Sequence, residues 1–115
     1  MNQEHKIIFY RSLDGRDSSL DEIENFGDKD SLKIYRAINL LKLYGLHLSA
    51  DRIKHIADKI WELKIDRYRI LYFLYEDRQF ILVRAFMKKT DKTPAREIRI
   101  AKKRYLDYVS RSEGE

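Results

Sequence analysis

The chain has 115 residues, 43% hydrophobic and 37% charged, which is enough for one domain (1–115) and too apolar to stay disordered. It has no cysteine, which excludes disulfides, thiolate nucleophiles and thiolate zinc ligands. The net charge of +5 gathers late: residues 1–51 carry 7 Lys and Arg against 9 Asp and Glu, residues 52–83 carry 7 against 5, and residues 84–115 carry 10 against 5.

Such asymmetry points to a polyanionic partner, nucleic acid before others. The first residues, "MNQEHKIIFY", lack the apolar stretch and cleavage site of a signal peptide, and the longest apolar run is "ILYFLY" at 70–75. A cytoplasmic protein without a membrane span is therefore expected.

"KIIFY" (6–10) is rich in β-branched and aromatic residues and predicts a first strand. "SLDE" follows, with Ser19 as N-cap and Glu22 closing a capping box, and opens a short helix that Gly27 ends. A second helix is expected from about Asp30 to Gly45, with Ile34, Ala37, Ile38, Leu41 and Tyr44 on its core face. These two helices should form a hairpin.

From Ile60 the period becomes two. "IWELKI" (60–65), "YRILYFLY" (68–75) and "FILVRAFM" (80–87) read as three consecutive antiparallel strands. A last helix starts after Thr93-Pro94, with Thr93 as N-cap, Pro94 in the first turn and a narrow stripe of Ile98, Ala101, Tyr105 and Val109. The order β-α-α-β-β-β-α predicts an α+β domain with its helices on one face of the sheet.

Turn lengths set the register of the strands. A tight Asp66-Arg67 turn pairs Ile65 with Tyr68, so Lys64 faces Arg69 and Glu62 faces Leu71. A four-residue loop over 76–79 pairs Tyr75 with Phe80, so Phe73 faces Leu82, Leu71 faces Arg84 and Arg69 faces Phe86. Lys64, Arg69, Arg84, Phe86 and Lys88 then share one face. Trp61, Leu63, Ile70, Tyr72, Leu74, Ile81, Val83, Ala85 and Met87 form the other, the expected core. A lysine opposite an arginine costs a few tenths to about 1 kcal/mol. Cations gathered around one aromatic ring are a poor solubility device and a good phosphate site, with Phe86 placed to stack on a base. Lys88, Lys89 and Lys92, in the joint before the last helix, extend that charge.

Other chemistries find no support. His5, His47 and His55 have no metal-ligand spacing, the four glycines form no phosphate loop, and there is no nucleophile elbow. No cofactor and no metal is expected.

"WELKIDRYRILYFLY", "AFMKKTDKTPAREIRIAKKRYLDY" and the two helices before them resemble the HigB branch of the RelE superfamily, bacterial type II toxins and their phage-encoded relatives. The shared pattern is Glu62-Leu63-Lys64, Tyr68-Arg69-Ile70 and the stretch Phe86 to Pro94. It covers roughly residues 6 to 110. The resemblance implies a RelE-like fold and a metal-independent ribonuclease that cuts mRNA in the ribosomal A site of the 30S subunit. It also implies a cognate antitoxin with a helix-turn-helix domain, similar to HigA.

The family's basic active-site positions fall on Lys64, Arg69, Phe86, Lys88 and Lys89. On the reading of the strands, Arg69 and Arg84 would stabilise the phosphorane. Lys64 is the candidate base, since a cationic neighbour favours the neutral amine. Lys88 or Lys89 would donate a proton, and Phe86, Lys92 and Arg67 would bind substrate. The alternative is a non-catalytic relative that binds RNA or the ribosome. A structural or phage accessory protein is a third possibility.

Overall fold

A computed structural model describes residues 5–114. The elements are β1 (Lys6–Phe9), α1 (Ser19–Glu24), α2 (Asp28–Tyr44), a short 3-10 turn (Gly45–His47), β2 (Ile53–Ala57), β3 (Ile60–Ile65), β4 (Tyr68–Tyr75), β5 (Gln79–Met87) and α3 (Ala95–Glu113). The fold is α+β, as expected. Its five-stranded sheet has the order β1-β5-β4-β3-β2, with β1 parallel to β5 and the other pairs antiparallel.

One strand was not foreseen. β2 runs antiparallel to β3 as an edge strand, with a register shift between His55 and Ala57. Only Ile53 on this strand is buried, so its apolar alternation is too sparse to announce it.

The helices occupy both faces of the sheet, not one. Ile23 of α1 and Ile34, Ala37, Ile38 and Leu41 of α2 pack on Leu63, Ile70, Tyr72, Phe80 and Leu82. On the opposite face Ala101, Tyr105 and Val109 of α3 pack with Leu71, Phe73, Ile81, Val83 and Phe86. A second apolar stripe needs a second apolar surface, and the sheet supplies it. Tyr44, expected in the α2 core face, is 54% exposed.

A bulge changes which β5 side chains face each helix layer. β4 and β5 pair Arg69 with Phe86 and Leu71 with Arg84, as the turn lengths predict, but then Tyr72 with Leu82, Phe73 with Ile81 and Tyr75 with Gln79. The loop is one residue shorter than expected, and the register shift between Leu71 and Tyr72 absorbs the difference. Val83 and Arg84 therefore lie on the same face. Ile81 and Val83 belong to the α3 core, while Phe80 and Leu82 take their places under α1 and α2.

The starts of α1 and α3 also differ from expectation by one residue. Ser18, not Ser19, caps α1, its hydroxyl accepting from Asp21 N at 3.3 Å. Glu22 is thereby released from a capping box. Pro94, extended at φ −60 and ψ 139, is the N-cap position of α3, and Thr93 does not cap.

Candidate functional site

Strand pairing gathers a cationic row at one end of the sheet. Lys64 lies opposite Arg69, and Arg69 opposite Phe86. Beyond the strand ends, Lys88 N donates to Arg67 O at 2.7 Å, so the Asp66-Arg67 turn sits beside the basic joint. The turn is held by Asp66 at φ +51. On the other flank Lys64 N donates to Arg52 O at 2.8 Å, and Lys54 pairs with Glu62. Alternation along β2, with Ile53 in the core, puts Arg52 and Lys54 on the same face as Lys64. Both are exposed, and neither was foreseen because β2 was not.

The like-charge pair is relieved by its neighbours. Lys64 Nζ donates to Ala50 O at 3.3 Å. Arg69 Nη1 donates to Asp66 O at 2.7 Å and Tyr68 O at 2.8 Å, and its Nε lies 3.8 Å from Glu62 Oε2. Lys64, Arg69 and Lys88 are half-buried, while Arg67, Lys89 and Lys92 are exposed. Half-burial fixes geometry and leaves part of each cation to a ligand.

Two of the expected residues are otherwise engaged. Phe86 shares the face of Arg69 but is 5% exposed, packed into the core beneath α3, so it offers no open ring to a base. Arg84 is held between two carboxylates, Nη1 to Glu22 at 2.6 Å and Nε to Glu97 at 2.6 Å. Burial works against the Arg84 cation, yet Glu97 and Glu22 outweigh it and hold the proton more tightly than usual. Strand register puts the residue on the right face. It cannot show that α1 and α3 bring carboxylates to it.

Glu22 explains how β5 is finished at that edge. β1 pairs only with residues 79–82, so the strand beyond loses its neighbour. Glu22 Oε1 accepts from Ala85 N at 3.1 Å, and Arg104 Nη1 donates to Val83 O at 2.8 Å. Side chains thus satisfy the backbone groups that a neighbouring strand would have paired. Arg104 is itself tied to Glu22 at 2.9 Å.

Clefts open on either side of Arg84. One of about 660 Å³ is lined by Tyr10, Asp17, Arg84, Arg96, Lys103 and Arg104. The other, of about 540 Å³, is lined by Glu22, Phe26, Arg84, Phe86, Lys89 and Arg96. Neither is lined by Lys64 or Arg69, whose half-buried side chains lie along the sheet end. A row along a sheet end fits an extended polyanion better than a small molecule. Among the described residues no group of three or more His, Asp or Glu is arranged to hold a metal, and no helix is long and apolar enough to cross a membrane.

A family model described as phage derived protein Gp49-like (DUF891) matches residues 21–106, from within α1 to within α3. The matched span contains the whole cationic row and the basic joint. No curated protein matches the chain.

Proposed function

The chain belongs to the Gp49-like family of phage-derived proteins, and on that premise we propose that it is the toxin of a type II toxin–antitoxin pair, similar to HigB, that cuts mRNA. The observation that carries this reading is the row Lys64, Arg69 and Lys88, set by strand register at the sheet end beside the joint Lys88-Lys89-Lys92. Paired cations on a surface are suited to one phosphate of an RNA chain.

The reaction we propose is a metal-independent transesterification. The 2′-hydroxyl of one ribose loses its proton, with Lys64 as base, and its oxygen attacks the adjacent phosphorus. The bond to the 5′-oxygen of the next nucleotide breaks, and Lys88 or Lys89 protonates the leaving oxygen. The products are a 2′,3′-cyclic phosphate and a 5′-hydroxyl. Arg69 supplies fixed positive charge to the phosphorane between them. Phe86 supports Arg69 from the core instead of stacking on a base, and Arg84 ties α1, β5 and α3 together. Arg67 and Lys92 contact flanking phosphates. In this reading the ribosomal A site presents the mRNA, and a helix-turn-helix antitoxin restrains the toxin.

Induced expression tests the proposal. Growth should stop, and mRNA ends carrying a 5′-hydroxyl should appear. Arg69→Ala or Lys64→Ala should reduce cleavage by roughly 10²- to 10³-fold, the usual cost of losing one preorganised electrostatic contact. Growth arrest without new mRNA ends, or cleavage at the wild-type rate in both variants, would sink it. The engagement of Arg84 and Phe86 in structural contacts favours a second reading, a non-catalytic protein that binds RNA or the ribosome. Binding without cleavage would select it.

A further inference from the structure

Glu62 is the least explained charged residue of the fold. It lies in the middle of β3 and is 0% exposed. One carboxyl oxygen, Oε1, accepts from Thr93 Oγ1 at 2.5 Å. The other, Oε2, makes no hydrogen bond and lies 3.8 Å from Arg69 Nε, which also lacks one. A carboxyl group placed this deep with one oxygen unsatisfied is not a good stability device. An apolar side chain of similar volume commonly serves a core as well or better. The arrangement makes sense through what it joins. Thr93 belongs to the basic joint, which carries Lys88, Lys89 and Lys92, and Arg69 belongs to the sheet.

We propose that Glu62 is a positioning residue: one carboxyl oxygen holds the basic joint through Thr93 while the other orients Arg69, so that both present their cations to the same phosphate. The proposal rests on the ribonuclease reading of the cationic row. Three groups already draw on the Arg69 guanidinium: Asp66 O and Tyr68 O take Nη1, and Glu62 faces Nε. Nη2 is left without a hydrogen-bond partner among the described residues. A guanidinium fixed along two edges has its third free for an incoming oxygen, and its orientation is settled before RNA arrives. The charged groups around Glu62 come from three elements: Arg69 on β4, Lys54 opposite on β2, and Arg84 one pair further along the sheet, already bound to Glu22 and Glu97.

Two substitutions separate the two ties. Glu62→Gln keeps the volume and an oxygen for Thr93 but removes the charge beside Arg69. Thr93→Val releases the joint and leaves Glu62 against Arg69. With mRNA on programmed ribosomes as substrate, Glu62→Gln should lower kcat at least ten-fold with KM within two-fold. Thr93→Val, which loosens the joint carrying Lys88 and Lys89, should raise KM several-fold and lower kcat by less than Glu62→Gln does. If Glu62 works through Arg69, Glu62→Gln adds nothing further to Arg69→Ala, because contacting residues in one network are non-additive. Equal losses in both backgrounds, or losses that merely follow melting temperature, would overturn the proposal.

A readout independent of cleavage keeps the two claims apart. The Arg69 Nε–H should give a protected NMR resonance in the wild type and in Thr93→Val, and lose that protection in Glu62→Gln. If the wild type cuts no RNA, the ribonuclease reading fails, and this resonance still decides the role of Glu62. Equal exchange with and without the carboxylate overturns it.

Discussion

Glu22 shows how much a single carboxylate can hold. It accepts from the Arg84 and Arg104 guanidinium groups and from Ala85 N, joining α1, the open edge of β5 and α3. Glu22→Ala should cost about 3–5 kcal/mol in chemical denaturation, because the half-buried Arg84 and the buried Arg104 lose a shared carboxylate together. A loss below about 1 kcal/mol would mean that water replaces the carboxylate freely. Tyr10 makes a pH prediction. Its hydroxyl donates to Asp107 Oδ2 at 2.6 Å, and burial, then the Asp107 hydrogen bond and charge, push its pKa up to about 12. The folded state therefore holds this proton more tightly than the unfolded chain. The resulting stability is complete below about pH 10 and is lost as pH rises through about 12. Alkaline unfolding should begin in that window, and Tyr10→Phe should flatten the dependence there. An unchanged alkaline profile in Tyr10→Phe would place its origin elsewhere. At this scale the sequence was half legible. The Asp66-Arg67 turn fixed the partners of Lys64 and Arg69, since a two-residue turn leaves little choice of register. The burial of Phe86 and the engagement of Arg84 were not legible, because both depend on helices far away in the chain.

Elements repeat the pattern: local chemistry could be read, and compensation could not. Four strands and three helices follow from apolar period and caps, but the shortened 76–78 loop and the bulge at Val83 cancel each other, and neither carries its own signature. That cancellation preserves the register at the cationic end and reverses it at the other. β2 escaped notice because an edge strand with one buried residue has almost no pattern to show. The end of α2 was legible in position but not in reason. Gly45 has φ +53 and ψ −127, a conformation that side chains resist, and a Cβ built there would stand 2.5 Å from His5 Cε1. The His5 ring is in turn packed on Phe80, with centroids 4.6 Å apart. Gly45→Ala should therefore lower stability by about 1–3 kcal/mol, measured by denaturant titration. His5→Ala in the same chain should recover the steric part only. Full recovery would show that the backbone angle costs nothing.

The whole molecule divides its charge by position. The acidic first 51 residues supply α1 and α2 on one face of the sheet, and the basic last 32 supply the end of β5, the joint and α3 on the other. In the proposed ribonuclease reading, an RNA approaching the cationic row would meet attraction from a broad surface and chemistry from a narrow part of it. These contributions should separate experimentally. Lys92 is exposed and, in the proposed reading, meets only a flanking phosphate, so it acts as diffuse charge. Lys92→Ala should weaken RNA association and make it less sensitive to salt. The log–log slope should fall by about 0.7 for each phosphate no longer neutralised, the value for single strands. Cleavage at saturating RNA should stay within about two-fold, since uniform binding does not alter the bound-state barrier. Lys64→Ala or Arg69→Ala should do the reverse, changing the salt slope by no more than one phosphate's worth while the saturated rate falls by about 10²-fold or more. The decisive quantity is the ratio between these effects, which errors in folding alone would not invert. If the joint variant loses the saturated rate and Lys64→Ala keeps it, the reacting phosphate sits against the joint. The sheet row would then be the part that only binds.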